Sequence, residues 1–143
     1  MTDLPDLQGQ LIALIRAFGL HRPNQTPCGQ AVTVAEAHAL MELTDAKLLS
    51  QNELATRLGL EKSTVSRLAK ILEKRGWLER NRNDMDRRVM QLALTKDGRQ
   101  AAEQLATARR EKFTRILSSI PKVQRVQVLD SLKILVKAIY ESE

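Results

Sequence analysis

The feature that most restricts the fold of this chain is a pattern of seven small or apolar residues between positions 51 and 70. A helix predicted over 50–58 ends at Gly59, because glycine enters the left-handed backbone conformation at little cost. A second helix is predicted to begin at about Lys62. The residues expected to fill the space between the two helices are Leu54, Ala55, Leu58, Leu60, Val65 and Leu68. This spacing predicts two helices that cross at a short turn, a helix-turn-helix.

The remainder of the chain is predicted to be helical, apart from one hairpin. Aromatic residues make up only 3% of the sequence, so the core must be built from Leu, Ile, Val and Ala, which favours packed helices. Further helices are predicted over 7–20, 33–43 and 95–118 and from near Pro121, with two short strands over 77–94. The expected fold class is mainly α with a small β-hairpin wing, a winged helix-turn-helix with dimerisation helices at its N- and C-terminal ends.

The terminal helices carry more apolar surface than a monomer of this size is expected to leave exposed. The stripe on the last helix consists of Val123, Val126, Leu129, Leu132, Leu135, Val136 and Ile139. A second copy would cover it and set two recognition helices about 34–36 Å apart, one turn of DNA. We therefore predict a homodimer, one compact chain in which 1–32 and 97–143 dimerise and 33–96 bind DNA.

The positive charge is concentrated in one third of the chain. Eleven basic and six acidic residues lie over 50–96, so this segment holds +5 of the net charge of +6. A basic surface on a helix-turn-helix predicts double-stranded DNA as the partner. Because the inner face of the second helix is apolar, its outer face is fixed by geometry. The candidate DNA-binding residues of the two helices are Ser50, Gln51, Lys62, Ser63, Thr64, Ser66, Arg67 and Lys70.

These candidates are expected to have different roles in DNA recognition. Hydroxyl groups and the Arg67 guanidinium can form hydrogen bonds with base edges in the major groove. Lys62 and Lys70 are expected to contact phosphates, which position a protein without specifying sequence. The helix start at Ser50 and Gln51 can meet a further phosphate.

The run SQNELATRLGLEKSTVSRLAKILEKRGWLERNRNDMDRRVMQLALTKDG, over 50–98, resembles the multiple-antibiotic-resistance regulator (MarR) family. The resemblance implies a winged helix-turn-helix homodimer that regulates transcription from a pseudo-palindromic operator, as a repressor. It also implies release from DNA by a small apolar effector or by oxidation. No residue of the sequence identifies that effector.

The resemblance extends to the wing, with one departure. The Asp-x-Arg pair of the family is matched by Asp86 and Arg88. This implies that Arg88 contacts the DNA backbone or the minor groove, and that Asp86 holds the basic groups. Family members often carry a further arginine where this chain has Met85. Arg82 or Arg87 takes that place at the wing tip, or Met85 inserts as an apolar wedge, and the sequence leaves these alternatives open.

Three other residues suggest a sensor. Cys28 could respond to oxidants, but it lies in a loop with no base nearer than Arg22, so we interpret it as an ordinary loop cysteine. His21, Cys28 and His38 could bind a metal ion, but their spacing matches no standard zinc pattern. The alternative to a ligand-released repressor is therefore a redox- or metal-responsive regulator that uses Cys28.

Two other classes of protein were compared with a DNA-binding regulator. A winged helix that binds protein usually presents an apolar or acidic outer face, and Lys62, Arg67 and Lys70 argue against it. The sequence has no glycine-rich phosphate loop, nucleophile elbow or paired metal-binding histidines, so no enzyme and no cofactor are predicted. The N-terminus lacks the basic region of a secretory signal, and no apolar run reaches about 18 residues. We therefore expect a cytoplasmic protein without a membrane segment.

Overall fold

The computed structural model describes residues 3–143, and most of these residues are helical. The helices are α1 (Asp3–Phe18), α2 (Val34–Ala46), α3 (Gln51–Leu58), α4 (Lys62–Lys74), α5 (Lys96–Ser118) and α6 (Arg125–Glu141), with a 3₁₀ turn at Lys122–Gln124 before α6. The strands are β1 (Leu49–Ser50), β2 (Leu78–Arg82) and β3 (Met90–Leu94). The predicted fold class, mainly α with a small β wing, is confirmed.

The sheet contains one strand more than the predicted hairpin. The strand order is β1-β3-β2, both pairs are antiparallel, and Leu49 lies opposite Leu92. A two-residue strand is too short to show an alternating pattern. In addition, Ser50 belongs to β1 and also caps α3, so its sequence signal is that of a helix start.

Side-chain caps fix where the helices begin. In two capping boxes, Thr33 with Glu36 and Ser50 with Glu53, the hydroxyl accepts the backbone N–H of the glutamate while the glutamate accepts that of the cap residue. These reciprocal bonds satisfy donors that have no acceptor within the helix. Gly59 ends α3 in the left-handed conformation with φ of 64°, as its position in the sequence predicted.

The core lies between α2, α3, α4, the sheet and the first half of α5. Its largest fully buried side chains are Leu40, Leu43, Leu54, Leu72, Leu92 and Val65. The prediction that Leu60 fills the space between α3 and α4 is wrong, since this side chain is 36% exposed. Leu60 follows Gly59 in the turn, where its N–H donates back to the carbonyl oxygen of Ala55 at 3.0 Å. Its side chain is therefore placed by the turn and not by a helix face.

The chain divides into two units, one up to residue 108 and one over 109–143. In the first unit, α1 carries no buried residue, and the apolar side chains of Leu7, Ile12 and Ile15 are exposed. In the second unit, α6 also carries no buried residue. Both helices therefore present apolar side chains to solvent in a single copy. The three-part division into 1–32, 33–96 and 97–143 stays a prediction.

Between Asp3 and Glu143, no helix combines the length and the hydrophobicity that a membrane crossing requires.

Candidate nucleic-acid interface

The outer face of α4 carries the residues that the sequence analysis proposed for base reading. Burial of Val65, Leu68, Ala69 and Leu72 turns this helix with its polar side outwards. Lys62, Ser63, Arg67 and Lys70 are exposed on that side, whereas Thr64 and Ser66 are half-buried at its edge. The structure therefore brings all six predicted residues of this helix onto one accessible surface.

The side chain of Arg67 has little internal support. Its Nη2 lies 3.5 Å from Oγ1 of Thr64, one turn earlier on the same helix. A contact of this length is at the limit of a hydrogen bond. The guanidinium group can therefore turn to a base edge without breaking a strong bond.

A small polar cleft of about 100 Å³ lies between the start of α3 and the wing. It is lined by Ser50, Gln51, Asn52, Arg82, Arg88, Val89 and Met90. The Nη1 atom of Arg82 lies 3.5 Å from the backbone oxygen of Arg88, so both arginines belong to the same wall. Two guanidinium groups next to the positive end of a helix dipole form a surface that favours an anion.

The wing, residues 82–90, is a turn organised by one asparagine. The Oδ1 atom of Asn83 accepts the N–H groups of Met85 at 2.7 Å and Asp86 at 3.1 Å. This Asx turn leaves the Met85 side chain 96% exposed. Arg82 is the last residue of β2, whereas Arg87 lies in the turn with its Nη1 3.8 Å from Asp84. Because Met85 and Arg87 lie in the turn and not in a strand, they can contact a ligand beyond the ends of the strands.

Asp86 and Arg88 form the ion pair that the resemblance implied. Nε of Arg88 donates to Oδ1 of Asp86 at 3.0 Å, and Nη2 donates to Oδ2 at 3.1 Å. The side-chain bonds from Arg88, followed by its backbone N–H bond, lower the pKa of Asp86. The same side-chain contact raises the pKa of Arg88. Two parallel bonds fix the plane of the guanidinium group as well as its position.

We expect the carboxyl group of Asp86 to titrate below 3.8, the ordinary value for aspartate. Because its pKa is lowered in the folded wing, the pair contributes fully above pH 3.8 and is lost as the pH falls through the folded pKa. A carbon-detected NMR titration of the Asp86 carboxyl group measures this midpoint. In Arg88→Gln the midpoint should return towards 3.8. A wild-type midpoint at or above 3.8 would contradict the pair.

Besides Arg87 and Arg88, three further arginines of the basic segment form ion pairs within the protein. Nη1 of Arg57 lies 3.2 Å from Glu42, Nε of Arg75 lies 2.9 Å from Glu36, and Nε of Arg80 lies 3.3 Å from Glu73. Each pair joins two parts of the fold: α3 to α2, the C-cap of α4 to α2, and β2 to α4. The charge count over 50–96 included these arginines among the bases available to DNA. Sequence spacing gave no sign of the pairing, because the partners lie on different elements.

Arg80 also changes the interpretation of Gln51. Its Nη1 donates to Oε1 of Gln51 at 3.4 Å, while its Nε is held by Glu73. The Gln51 side chain is therefore engaged within the protein, and the part of Gln51 best suited to a phosphate is its backbone N–H at the start of α3.

Three residues, His21, Cys28 and His38, suggested a sensor as an alternative in the sequence. Cys28 is half-buried, while His21 and His38 are exposed. No group of three or more His, Cys, Asp or Glu side chains that could hold a metal ion occurs in the described part of the chain.

Comparison with known proteins gives concordant matches. A model described as MarR family matches residues 32–89. The HTH-type transcriptional repressor MdtR of Bacillus subtilis (strain 168) is 32% identical over 98 residues, which are 68% of this chain and 63% of that protein. The transcriptional repressor MprA of Escherichia coli (strain K12) is 28% identical over 96 residues, 67% of this chain and 54% of that protein. The chain thus spans little more than half the length of the curated relatives it matches.

Among solved structures, FabT of Streptococcus pneumoniae in complex with DNA is similar to this chain. The TM-score is 0.72 at 19% identity, and the match covers 99% of this chain and 96% of that one. At this identity the likeness shows the fold.

Proposed function

We propose that this chain, whose residues 32–89 match a model described as MarR family, is a sequence-specific, DNA-binding transcriptional regulator. We propose further that it is a repressor that binds a pseudo-palindromic operator as a homodimer, and that a small apolar effector releases it. The observation that carries the proposal is the exposed basic and hydroxylated face of α4, which lies on the same unit as the arginine-lined cleft at the wing.

In this proposal α4 enters the major groove. Ser63, Thr64, Ser66 and Arg67 read base edges, because a recognition helix reads mostly from its N-terminal half. Lys62 and Lys70 contact the phosphates on either side of the groove. The absence of a strong internal bond to Arg67 supports its assignment, since a bidentate contact to guanine needs two neighbouring N–H donors of the guanidinium group to be available.

The cleft between α3 and the wing is proposed to hold a backbone phosphate. Gln51 supplies its N–H group at the start of α3, Ser50 supplies its hydroxyl group because its own N–H is bound to Glu53, and Arg82 and Arg88 supply charge. Asp86 acts through Arg88, whose guanidinium plane it fixes. Arg87, at the exposed turn, is proposed to lie along the minor groove.

The homodimer is supported by two apolar helix faces with no buried residue, on α1 and on α6. Apolar surface of this extent usually marks an interface. A two-fold dimer also explains how two α4 helices would meet successive major grooves on one side of the duplex.

The test of DNA binding is the affinity for random duplex DNA as the salt concentration is varied. Several phosphate contacts predict that log affinity falls linearly with log salt, with a slope of about −0.9 for each neutralised phosphate. Selection of bound sites from a random pool then gives the operator and the half-site spacing. An affinity that does not change with salt would overturn the proposal.

Two variants of α4 separate base reading from phosphate contact. Arg67→Ala should cost on the order of 1–3 kcal/mol at one base pair and relax the preference there. Lys70→Ala should weaken binding to all sequences alike and reduce the salt slope by about one contact. Lys133→Ala, which removes the same charge from the exposed surface of α6, is the control. Equal losses on all sequences for Arg67→Ala and Lys70→Ala would refute the assignment of Arg67.

A further inference from the structure

A buried carboxylate joins the loop before α2 to the end of the recognition helix. The Glu36 side chain is 5% exposed. Its Oε1 accepts the backbone N–H of Thr33 at 3.1 Å, and its Oε2 lies 2.9 Å from Nε of Arg75. One side chain therefore contacts two parts of the molecule at once.

Arg75 lies at the point where α4 ends. It is the C-cap residue of that helix, and Gly76 follows it in the left-handed conformation with φ of 83°. Its guanidinium carbon lies 5.0 Å from the centre of the Trp77 ring, within the range of a cation–π contact. The charged group is thus placed between a carboxylate and an aromatic face, so its position depends on both.

The contact between Glu36 and Arg75 is close but poorly aligned. The Oε2 atom is enclosed, yet no donor meets it with hydrogen-bond geometry. A buried charge loses its hydration, and aligned hydrogen-bond donors normally compensate for that loss. At Oε2 of Glu36 the compensation must come from the electrostatic attraction of Arg75. Such a contact is sensitive to a small displacement of either partner.

The loop before α2 is itself ordered by local bonds. The Thr26 side chain is buried, and its Oγ1 accepts the N–H of Gln30 at 3.1 Å. Val32 is also buried, directly before the Thr33 cap. Displacement of this loop would move Thr33 and therefore the carboxylate that its N–H holds.

We propose that Glu36 is a positioning residue that couples the loop over 19–33 to the orientation of α4, and thereby sets how well the protein discriminates its operator from other DNA. This inference rests on the proposed reading of DNA by α4. The helix is 13 residues long, about 20 Å. A shift at its C-terminal end therefore moves the base-reading residues at its other end.

The first test uses Glu36→Gln, which keeps the volume and an acceptor for Thr33 but removes the charge. The measured quantity is the ratio of affinities for the operator selected by the wild-type protein and for random duplex of equal length. We expect this ratio to fall by roughly fivefold or more, with an unchanged salt slope because the phosphate contacts remain. A merely structural role would lower the melting temperature and leave the ratio unchanged, and that result would overturn the proposal.

The matched control is Glu42→Gln. It makes the same chemical change on the same helix and breaks a pair with Arg57 that is partly exposed at both ends. The ratio should not change in this variant. An equal fall in Glu42→Gln would show that any loss of an arginine pair on α2 has this effect, and would also overturn the proposal.

The second test does not require DNA, so its failure and the failure of the proposed function can be told apart. In Arg75→Met, hydrogen exchange at the Thr33 amide should become faster, because the carboxylate that accepts it loses its second partner. Arg57→Met is the control and should leave this amide unchanged. Unaltered exchange in Arg75→Met would refute the coupling even if the protein binds DNA as proposed.

Discussion

Gly98→Ala should lower the free energy of unfolding by about 3 kcal/mol, the upper end of what an overpacked side chain typically costs. A β-carbon at this position would lie 2.8 Å from the carbonyl carbon of Trp77 and 3.1 Å from its Cα, and it would collide with the Trp77 oxygen. That oxygen also accepts the N–H of Thr95 at 3.0 Å. The Trp77 carbonyl group therefore cannot move away without breaking this hydrogen bond, which joins the sheet to the start of α5.

Helix propensity alone would give the opposite sign. Alanine in a helix interior is more favourable than glycine by roughly 1 kcal/mol, and Gly98 lies in the first turn of α5. The steric cost exceeds this gain because Thr95 forms hydrogen bonds both to Gly98 and to Gly76, the residue before Trp77. Its Oγ1 accepts the Gly98 N–H at 3.0 Å and its hydroxyl donates to the Gly76 oxygen at 2.6 Å.

Thermal and denaturant unfolding measure the effect, with Gly9→Ala as the matched control. Gly9 is also helical, and no atom lies within 4 Å of a β-carbon built there. Gly9→Ala should be neutral or stabilising by up to about 1 kcal/mol. If Gly98→Ala unfolded at or above the wild-type midpoint, the close approach of α5 to Trp77 would be refuted.

The glycines illustrate what the sequence could and could not predict. Gly59 follows a helical apolar pattern and was assigned to a helix end, and its φ is positive, as is that of Gly76 after α4. Gly98 follows a threonine cap within the predicted helix 95–118, where nothing in the local pattern marks it. Its role comes from the backbone of Trp77, a residue far along the chain. Local conformation was therefore predictable, whereas close approach between distant segments was not.

In the candidate interface, too, local features were predictable from the sequence and contacts between distant segments were not. The outer face of α4 was predictable because the inner face of an amphipathic helix fixes it, and all six predicted residues lie on or beside that surface. The pairing of Arg57, Arg75 and Arg80 was not predictable, since each glutamate partner lies on another element. Leu60 was misassigned because the turn after Gly59, and not a helical period, sets its direction. The roles of the candidate residues in DNA binding stay predictions.

Leu132→Glu should convert the proposed dimer into a monomer and weaken operator binding by about 10²- to 10⁴-fold, the gain that linkage of two modules provides. Leu132 is 43% exposed in the single copy. With Gln124, Gln127, Val128, Ser131 and Leu135 it lines an open groove of about 370 Å³ on α6. A carboxylate here would have to lose its hydration without an opposite charge when a second copy covers the groove. Sedimentation and operator titration measure the two effects.

Ile134→Glu is the matched control, because it makes the same kind of substitution on the same helix. At about 100° per residue, position 134 lies about 200° from position 132 and therefore on the opposite face. Ile134 is 70% exposed, and it is not among the residues that line the groove. The seven-residue stripe predicted from the sequence also excludes it. We expect Ile134→Glu to remain dimeric and to bind the operator as the wild type does.

The salt dependence distinguishes loss of the dimer from loss of the fold. A Leu132→Glu monomer that keeps its winged-helix region should still bind random DNA, but with about half the slope of log affinity against log salt, because each bound protein then neutralises half as many phosphates. An unfolded variant would show no such binding and no cooperative melting. If Leu132→Glu were monomeric and kept both the wild-type affinity and the wild-type slope, one copy would suffice for DNA binding. The apolar face of α6 would then serve something other than the operator complex.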